Sequence, residues 1–101
     1  MITYKQSFNQ KNLESITISG HALFAPYGED IVCAAVSTAV IMTINAIEKL
    51  NEKENIKVDL KEGYVKITVS KLTEVVRGLL ENLIYSLDDI KSQFPKYLKE
   101  E

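Results

Sequence analysis

The chain contains one histidine, His21, and one cysteine, Cys33, and both lie in the short segment 20–37. A thiol is a nucleophile only as its thiolate, and an imidazole beside it can take the proton. One thiol and one base are therefore the minimum set for acyl transfer by a cysteine enzyme. The pair predicts a catalytic site in which Cys33 is the nucleophile and His21 is the base. The alternative is that both residues only pack, because isolated cysteines are usually buried and inert.

The apolar run 31–47 predicts a helix directly after the candidate loop. Asp30 is a good N-cap residue, and this cap would place Cys33 at the third helical position. The unpaired N–H groups of a first turn favour a thiolate and can receive the oxyanion of a tetrahedral intermediate. Asp30 could instead orient the imidazole, although the cap already accounts for an aspartate there.

Three further positions could support this site. Ser37 follows Cys33 by one helical turn, so it either lines the site or packs the helix. Gly20 lies before the candidate loop, residues 22–29, and Gly28 lies within it. A metal site is disfavoured, because zinc ordinarily takes at least three protein ligands and the chain offers one histidine and one cysteine. We therefore expect no metal and no cofactor.

The elements that must position these residues follow from the apolar pattern. Period-two alternation predicts two strands before the loop, and His21 falls at the end of the second, on its more polar face. Two more alternating runs, on either side of Glu62-Gly63, predict a hairpin. Apolar residues at helical spacing from Leu72 to Leu87 predict a second helix, with Ser70 as its candidate cap. The expected fold is α+β: a mostly antiparallel sheet with two helices, in the order β-β-α-β-β-α with a short last strand.

Composition limits the class of protein. The 101 residues, 46% hydrophobic and 26% charged, suit one ordinary domain, 1–101. Lys plus Arg number 12 against 14 Asp plus Glu and are scattered along the sequence, which disfavours nucleic-acid binding. The run 31–47 is shorter than a bilayer span, so we expect a buried central helix and no membrane association. No secretory signal begins the sequence, and we expect a cytoplasmic protein.

The motif around the two candidate residues resembles a known family. Gly20-His21-Ala22, followed by Tyr27-Gly28-Glu29-Asp30-Ile31-Val32-Cys33-Ala34-Ala35-Val36-Ser37, is similar to the signature of the ribosomal-processing cysteine proteases, the Prp family of Firmicutes and related bacteria. The resemblance covers essentially the whole chain. It implies that the matching histidine, His21, is the base and that the matching cysteine, Cys33, is the nucleophile.

The resemblance also implies a substrate and a partner. The family removes a short N-terminal extension from large-subunit ribosomal protein number twenty-seven, cutting after a pair of phenylalanines, as a step in ribosome biogenesis. It implies a homodimer with a mobile loop between the histidine and the cysteine. The leading hypothesis is thus a cysteine endopeptidase, and the competing hypothesis is a non-enzymatic ribosome-assembly or peptide-binding module.

Overall fold

The structure is a computed structural model that describes residues 1–20 and 27–101, with side chains described for 1–20 and 31–101. Within these residues, five strands and two α-helices follow one another in the predicted order. A 3-10 turn, Lys53–Asn55, precedes the third strand. The elements are β1 Ile2–Asn9, β2 Asn12–Ser19, α1 Tyr27–Lys49, β3 Ile56–Lys61, β4 Tyr64–Val69, α2 Glu74–Gln93 and β5 Leu98–Glu100.

The strands form one sheet in the order β3-β4-β2-β1-β5. The β1–β2, β2–β4 and β3–β4 pairs are antiparallel, and the short β5 joins β1 in parallel. This confirms the expected α+β fold with a mostly antiparallel sheet and a short last strand. The β1–β2 turn uses Gln10 and Lys11 at φ 50° and 70°, and the β3–β4 turn uses Gly63 at φ 67°.

The core lies between one face of the sheet and both helices. One stripe of α1 is buried in it, and so is the amphipathic face of α2. The buried set is Ile2, Tyr4, Leu13, Ile16 and Ile18 from β1 and β2, Val32, Val36, Val40 and Ile47 from α1, Val65 and Ile67 from β4, Val76, Leu80, Leu83, Ile84 and Leu87 from α2, and Leu98 from β5.

The expectation of a buried central helix holds for one stripe of α1 and not for its whole circumference. Its segment Ile31–Lys49 has the length and a mean hydropathy, 1.8, that would suffice to cross a membrane, yet only one stripe of the helix is buried. Ile31, Ile41 and Met42 are exposed on other sides. Because the sheet and α2 cover part of its circumference, α1 is a core helix with an apolar outer surface.

The cap predicted for α2 is wrong. The helix begins at Glu74 and its N-cap is Thr73, whose hydroxyl accepts a hydrogen bond of 3.1 Å from the Val76 N–H. Ser70 directly follows β4, and its N–H donates to the Asn55 carbonyl. The chain therefore needs a few residues to leave the sheet before it can turn into the helix, and the next residue with a capping hydroxyl takes the role.

Tyr4 fastens β1 to α2. Its side chain is fully buried, and its hydroxyl donates a hydrogen bond to Asp88. Burial raises the pKa of Tyr4 well above its ordinary value, and the hydrogen bond to Asp88 and the charges of Asp88 and Glu100 raise it further. The folded protein therefore holds this proton more tightly than the unfolded chain does.

This raised pKa predicts how stability depends on pH. Below pH 10 the tyrosine is protonated in both states; above it the unfolded chain releases the proton first, so the free energy of unfolding should fall. The measurement is urea unfolding between about pH 8 and about pH 11, comparing wild type with Tyr4→Phe, in which the other titrating groups remain. Parallel pH profiles for the two proteins would show that Tyr4 is not responsible.

Gly20 closes β2 against the start of β1, and we predict that it tolerates no side chain. It has φ +103°, and a Cβ there would overlap the carbonyl oxygen of Met1. Gly20→Ala should therefore lower the free energy of unfolding by about 2 kcal/mol or more. The matched control is Gly78→Ala in α2, where a Cβ meets nothing within 4 Å and the change should stabilise by roughly 0.5–1 kcal/mol. Equal melting temperatures for the two variants would contradict this account.

Candidate active site

A cavity of about 290 Å³ lies between α1 and the β3–β4 hairpin, and Cys33 is part of its wall. The lining is mostly aliphatic, as is usual for ligand pockets. It comprises Ile2, Ile18, Gly20, Cys33, Val36, Ser37, Val40, Ile41, Leu60, Lys61, Gly63, Tyr64 and Val65. The candidate nucleophile, Cys33, thus borders a pocket whose lining suits an apolar side chain.

The helical part of the wall follows from the spacing along α1. Cys33, Ser37 and Ile41 are four residues apart and therefore lie one above the other on one side of the helix. This stripe runs beside the buried stripe that packs on the sheet. Cys33 is accordingly half-buried, whereas Ser37 and Ile41 are exposed. The thiol therefore stands where the helix leaves the sheet, accessible from the cavity.

The wall of the cavity opposite α1 is formed by the end of β2 and by the β3–β4 hairpin. The Gly20 N–H donates a hydrogen bond of 2.9 Å to the Gly63 carbonyl, which joins the end of β2 to the β3–β4 turn. Neither glycine has a side chain to fill the space in front of Cys33. Leu60 and Lys61 complete this wall, and the Lys61 Nζ lies 5.7 Å from the centroid of the Tyr64 ring. Lys61 is the one charged residue among those lining the described cavity.

The structure corrects the expected start of α1. The helix begins at Tyr27, so Asp30 is its fourth residue and not its N-cap, and Cys33 is its seventh. Glu29 and Asp30 lie within the first turn, where acidic side chains are favourable because they oppose the positive end of the helix dipole.

This shift removes one expected source of activation. At the seventh helical position the backbone N–H is bonded within the helix, and the dipole acts mainly within the first turn. The first-turn amides therefore do not surround Cys33, and they cannot form the oxyanion site as expected. The first turn of α1 therefore does not supply the activation that the sequence predicts for Cys33.

The remaining predicted residues divide between described and undescribed parts of the chain. Gly20 and Ser37 line the cavity together with Cys33. Gly28 is in the first turn of α1. His21 and most of the expected loop, 22–26, lie outside the described residues, and the last loop residues, 27–29, are helical. No three His, Cys, Asp or Glu side chains within the described ranges are grouped so that they could hold a metal ion.

Sequence reasoning missed the hairpin side of this cavity. Leu60 alternates with charged residues as a core residue would, but it is 76% exposed at the cavity. The placement depends on β4 pairing with β2, which brings the β3–β4 turn beside Gly20. Local sequence patterns do not specify which strands pair with each other.

Comparison with known proteins places the chain in a family. Residues 1–99 match the family model of the cysteine protease Prp. The chain is 30% identical to the ribosomal processing cysteine protease Prp of Bacillus subtilis, over 90% of this chain and 87% of that protein. It is similar to a solved structure from Streptococcus mutans, with a TM-score of 0.79 and 31% identity. The match covers 100% of this chain and 92% of that chain. It is also similar to the ribosomal processing protease Prp of S. aureus, solved with a covalently linked product peptide, with a TM-score of 0.86 and 25% identity. This match covers 99% of this chain and 97% of that chain. The chain belongs to the cysteine protease Prp family.

Proposed function

We propose that this cysteine protease removes the N-terminal extension of large-subunit ribosomal protein number twenty-seven, cutting after a pair of aromatic residues, with a dyad of Cys33 and His21. The observation that carries the proposal is the position of Cys33 on the wall of a mostly apolar cavity. The names of the relatives, ribosomal processing proteases, support the substrate class.

The cavity favours an aromatic side chain next to the scissile bond. Its volume, about 290 Å³, is close to the lower end of the range for small-molecule pockets. Its aliphatic lining gains free energy when it removes an apolar side chain from water. Gly20, which precedes His21 in the sequence, lines the same cavity as Cys33. This adjacency supports the pairing of the two residues.

The proposed reaction is acyl transfer in two steps. His21 takes the proton of the Cys33 thiol, and the sulfur attacks the peptide carbonyl carbon. The C–N bond then breaks, the leaving amine takes the proton from the imidazolium, and the acyl part of the peptide stays on sulfur as a thioester. Water, deprotonated by the same imidazole, attacks the thioester carbon. The C–S bond breaks, the acyl part leaves as a carboxylic acid, and the imidazolium returns its proton to the Cys33 sulfur.

The test is cleavage of a synthetic peptide that carries a Phe-Phe pair near its N-terminus, with products identified by mass. We expect one cut, on the carboxyl side of the second phenylalanine. The matched peptide with Ala-Ala in place of Phe-Phe should be cut at least about tenfold more slowly, because it leaves the cavity unfilled. Equal cleavage of both peptides would contradict the proposed specificity, and cleavage of neither would contradict the proposed substrate.

Filling the cavity from Ser37 should block the substrate. The Ser37 side chain lines the cavity one turn from Cys33, so Ser37→Phe should lower kcat/KM for the Phe-Phe peptide by roughly 10- to 200-fold. Thr38→Phe is the matched control, since Thr38 is exposed on α1 and lines a different groove. If the two variants lose the same activity, the cavity does not bind the substrate.

We further propose that the protein acts in the cytoplasm as a homodimer. The support for a dimer is the outer surface of α1, where Ile31 and Met42, eleven residues apart and so on one side of the helix, are 41% and 67% exposed. Burying such side chains against a second copy would remove apolar area from water. Sedimentation of the wild type and of an Ile31→Glu/Met42→Glu variant tests this, and a dimer unaffected by the two charges would place the interface elsewhere.

A further inference from the structure

The face of the sheet that carries no helix is strongly basic. Side chains alternate along each strand, so residues between the buried ones face away from the core. Lysines that are scattered in the sequence come together on this open face: Lys5 on β1, Lys57 and Lys61 on β3, Lys66 on β4 and Lys99 on β5. The acidic side chains at exposed positions between buried residues of these described strands are Asp59 on β3 and Glu14 on β2, at the irregular end of the β1–β2 pair.

The strand register defines how the charges are arranged. Lys5 pairs with Thr17, Thr17 with Lys66, and Lys66 with Asp59, which makes one row across four strands. Lys5 and Lys66 are therefore two strand spacings apart, about 10 Å. The chain as a whole has a formal net charge of −2, so the positive charge of this face is local. The charge separation is a property of the fold and is not visible in composition.

The other side chains of this face are hydroxyls and one aromatic ring. Thr3, Thr17, Ser19 and Thr68 occupy outward positions of the inner strands. Tyr64 lies in the row of Ser19 and Lys61, with the Lys61 Nζ over its ring. No aliphatic side chain occupies the outward positions in the register of these described strands, so the face offers little to insert into a lipid layer.

We propose that this basic sheet face, defined by Lys5, Lys57, Lys61, Lys66 and Lys99, docks single-stranded RNA. Lysines neutralise successive phosphates, hydroxyls donate to phosphate and ribose oxygens, and an aromatic ring on an open sheet provides a surface on which a base stacks. The row from Lys5 to Lys66 lies opposite the helix layer, so RNA bound along it leaves α1 uncovered. At one end of the face, Lys61 and Tyr64 also border the cavity beside Cys33. The inference does not depend on the proposed peptidase substrate.

The test is fluorescence anisotropy with a labelled oligouridine of about 12 nucleotides, measured at low and at physiological salt. We expect a Kd of roughly 10⁻⁴ to 10⁻⁶ M at physiological salt, and a slope of log K against log salt of about −2 to −3.5, for three to five phosphate contacts. Lys5→Glu/Lys66→Glu should weaken binding by at least about tenfold. The control Lys49→Glu/Arg77→Glu makes the same change in net charge on the two helices, away from the sheet, and should stay within about twofold.

Several outcomes would overturn the proposal. These are the absence of binding to the oligonucleotide, an equal loss in the control variant, and binding instead to vesicles of phosphatidylserine and phosphatidylcholine that the sheet variant abolishes. Melting temperature reports whether the variants fold, whatever the peptidase assay shows. If the charge reversal unfolds the protein, Lys5→Gln/Lys66→Gln removes the charges without adding repulsion and should still weaken binding; unchanged binding would contradict the proposal.

Discussion

Cys33→Ala should lower peptide cleavage by roughly 10⁴-fold or more, because it removes the atom that forms the acyl bond. The fold should persist: Cys33 is half-buried at the edge of the core, so losing one sulfur should cost about 1 kcal/mol or less. The measurement is single-turnover cleavage of the Phe-Phe peptide together with a thermal melt.

Two controls make this result interpretable. Cys33→Ser keeps a side chain of similar size but presents a hydroxyl, a far weaker nucleophile, and should be equally inactive. Thr38→Ala, on the exposed side of the same helix, should keep wild-type activity. Both inactive variants should still bind the peptide. A folded Cys33→Ala protein that cleaves at the wild-type rate would show that another group attacks the carbonyl.

His21→Ala should lower kcat/KM by about 10²- to 10⁴-fold at neutral pH, the usual contribution of a general base. The proposed mechanism depends strongly on this base, because Cys33 is the seventh residue of α1 and has no first-turn amides beside it. A thiol without a base gives up its proton to solvent as pH rises past about 8.5. The loss in His21→Ala should therefore shrink between about pH 7 and about pH 9.

That pH dependence separates a base from a structural residue. His21→Gln fills similar space and lacks a basic nitrogen, so it should behave as His21→Ala does. If alkaline pH restores neither variant, or if His21→Gln is fully active at neutral pH, His21 does not act as the base. Melting temperatures of both variants show whether a loss of activity is a loss of fold.

Local patterns predicted most of the elements for physical reasons. Alternation from Ile56 to Val69 reflects a sheet with one buried face, and the apolar spacing in α2 reflects one face packed on that sheet. The starts of the helices were not predicted correctly. Asp30 and Ser70 are good capping residues, but a cap is decided by where the chain turns into the helix, as Thr73 shows.

Of the candidate site, the sequence predicted only the part that lies on α1. The spacing of Cys33 and Ser37 placed them on one helix face, and the structure places both on one cavity. Leu60 and Tyr64 line the same cavity only because β4 pairs with β2, which no local pattern encodes. The basic sheet face has the same origin, since the register, and not the sequence spacing, aligns Lys5 with Lys66.

The most direct test of the central claim, that Cys33 is an activated nucleophile in the substrate cavity, is alkylation with iodoacetamide at pH 6 followed by intact mass and peptide cleavage. An ordinary cysteine, with a pKa of about 8.5, reacts slowly there. We predict rapid labelling of Cys33, a loss of cleavage in proportion to the labelled fraction, and protection by the Phe-Phe peptide but not by its Ala-Ala counterpart. Labelling no faster than in the urea-unfolded chain, or full cleavage by fully labelled protein, would contradict the account.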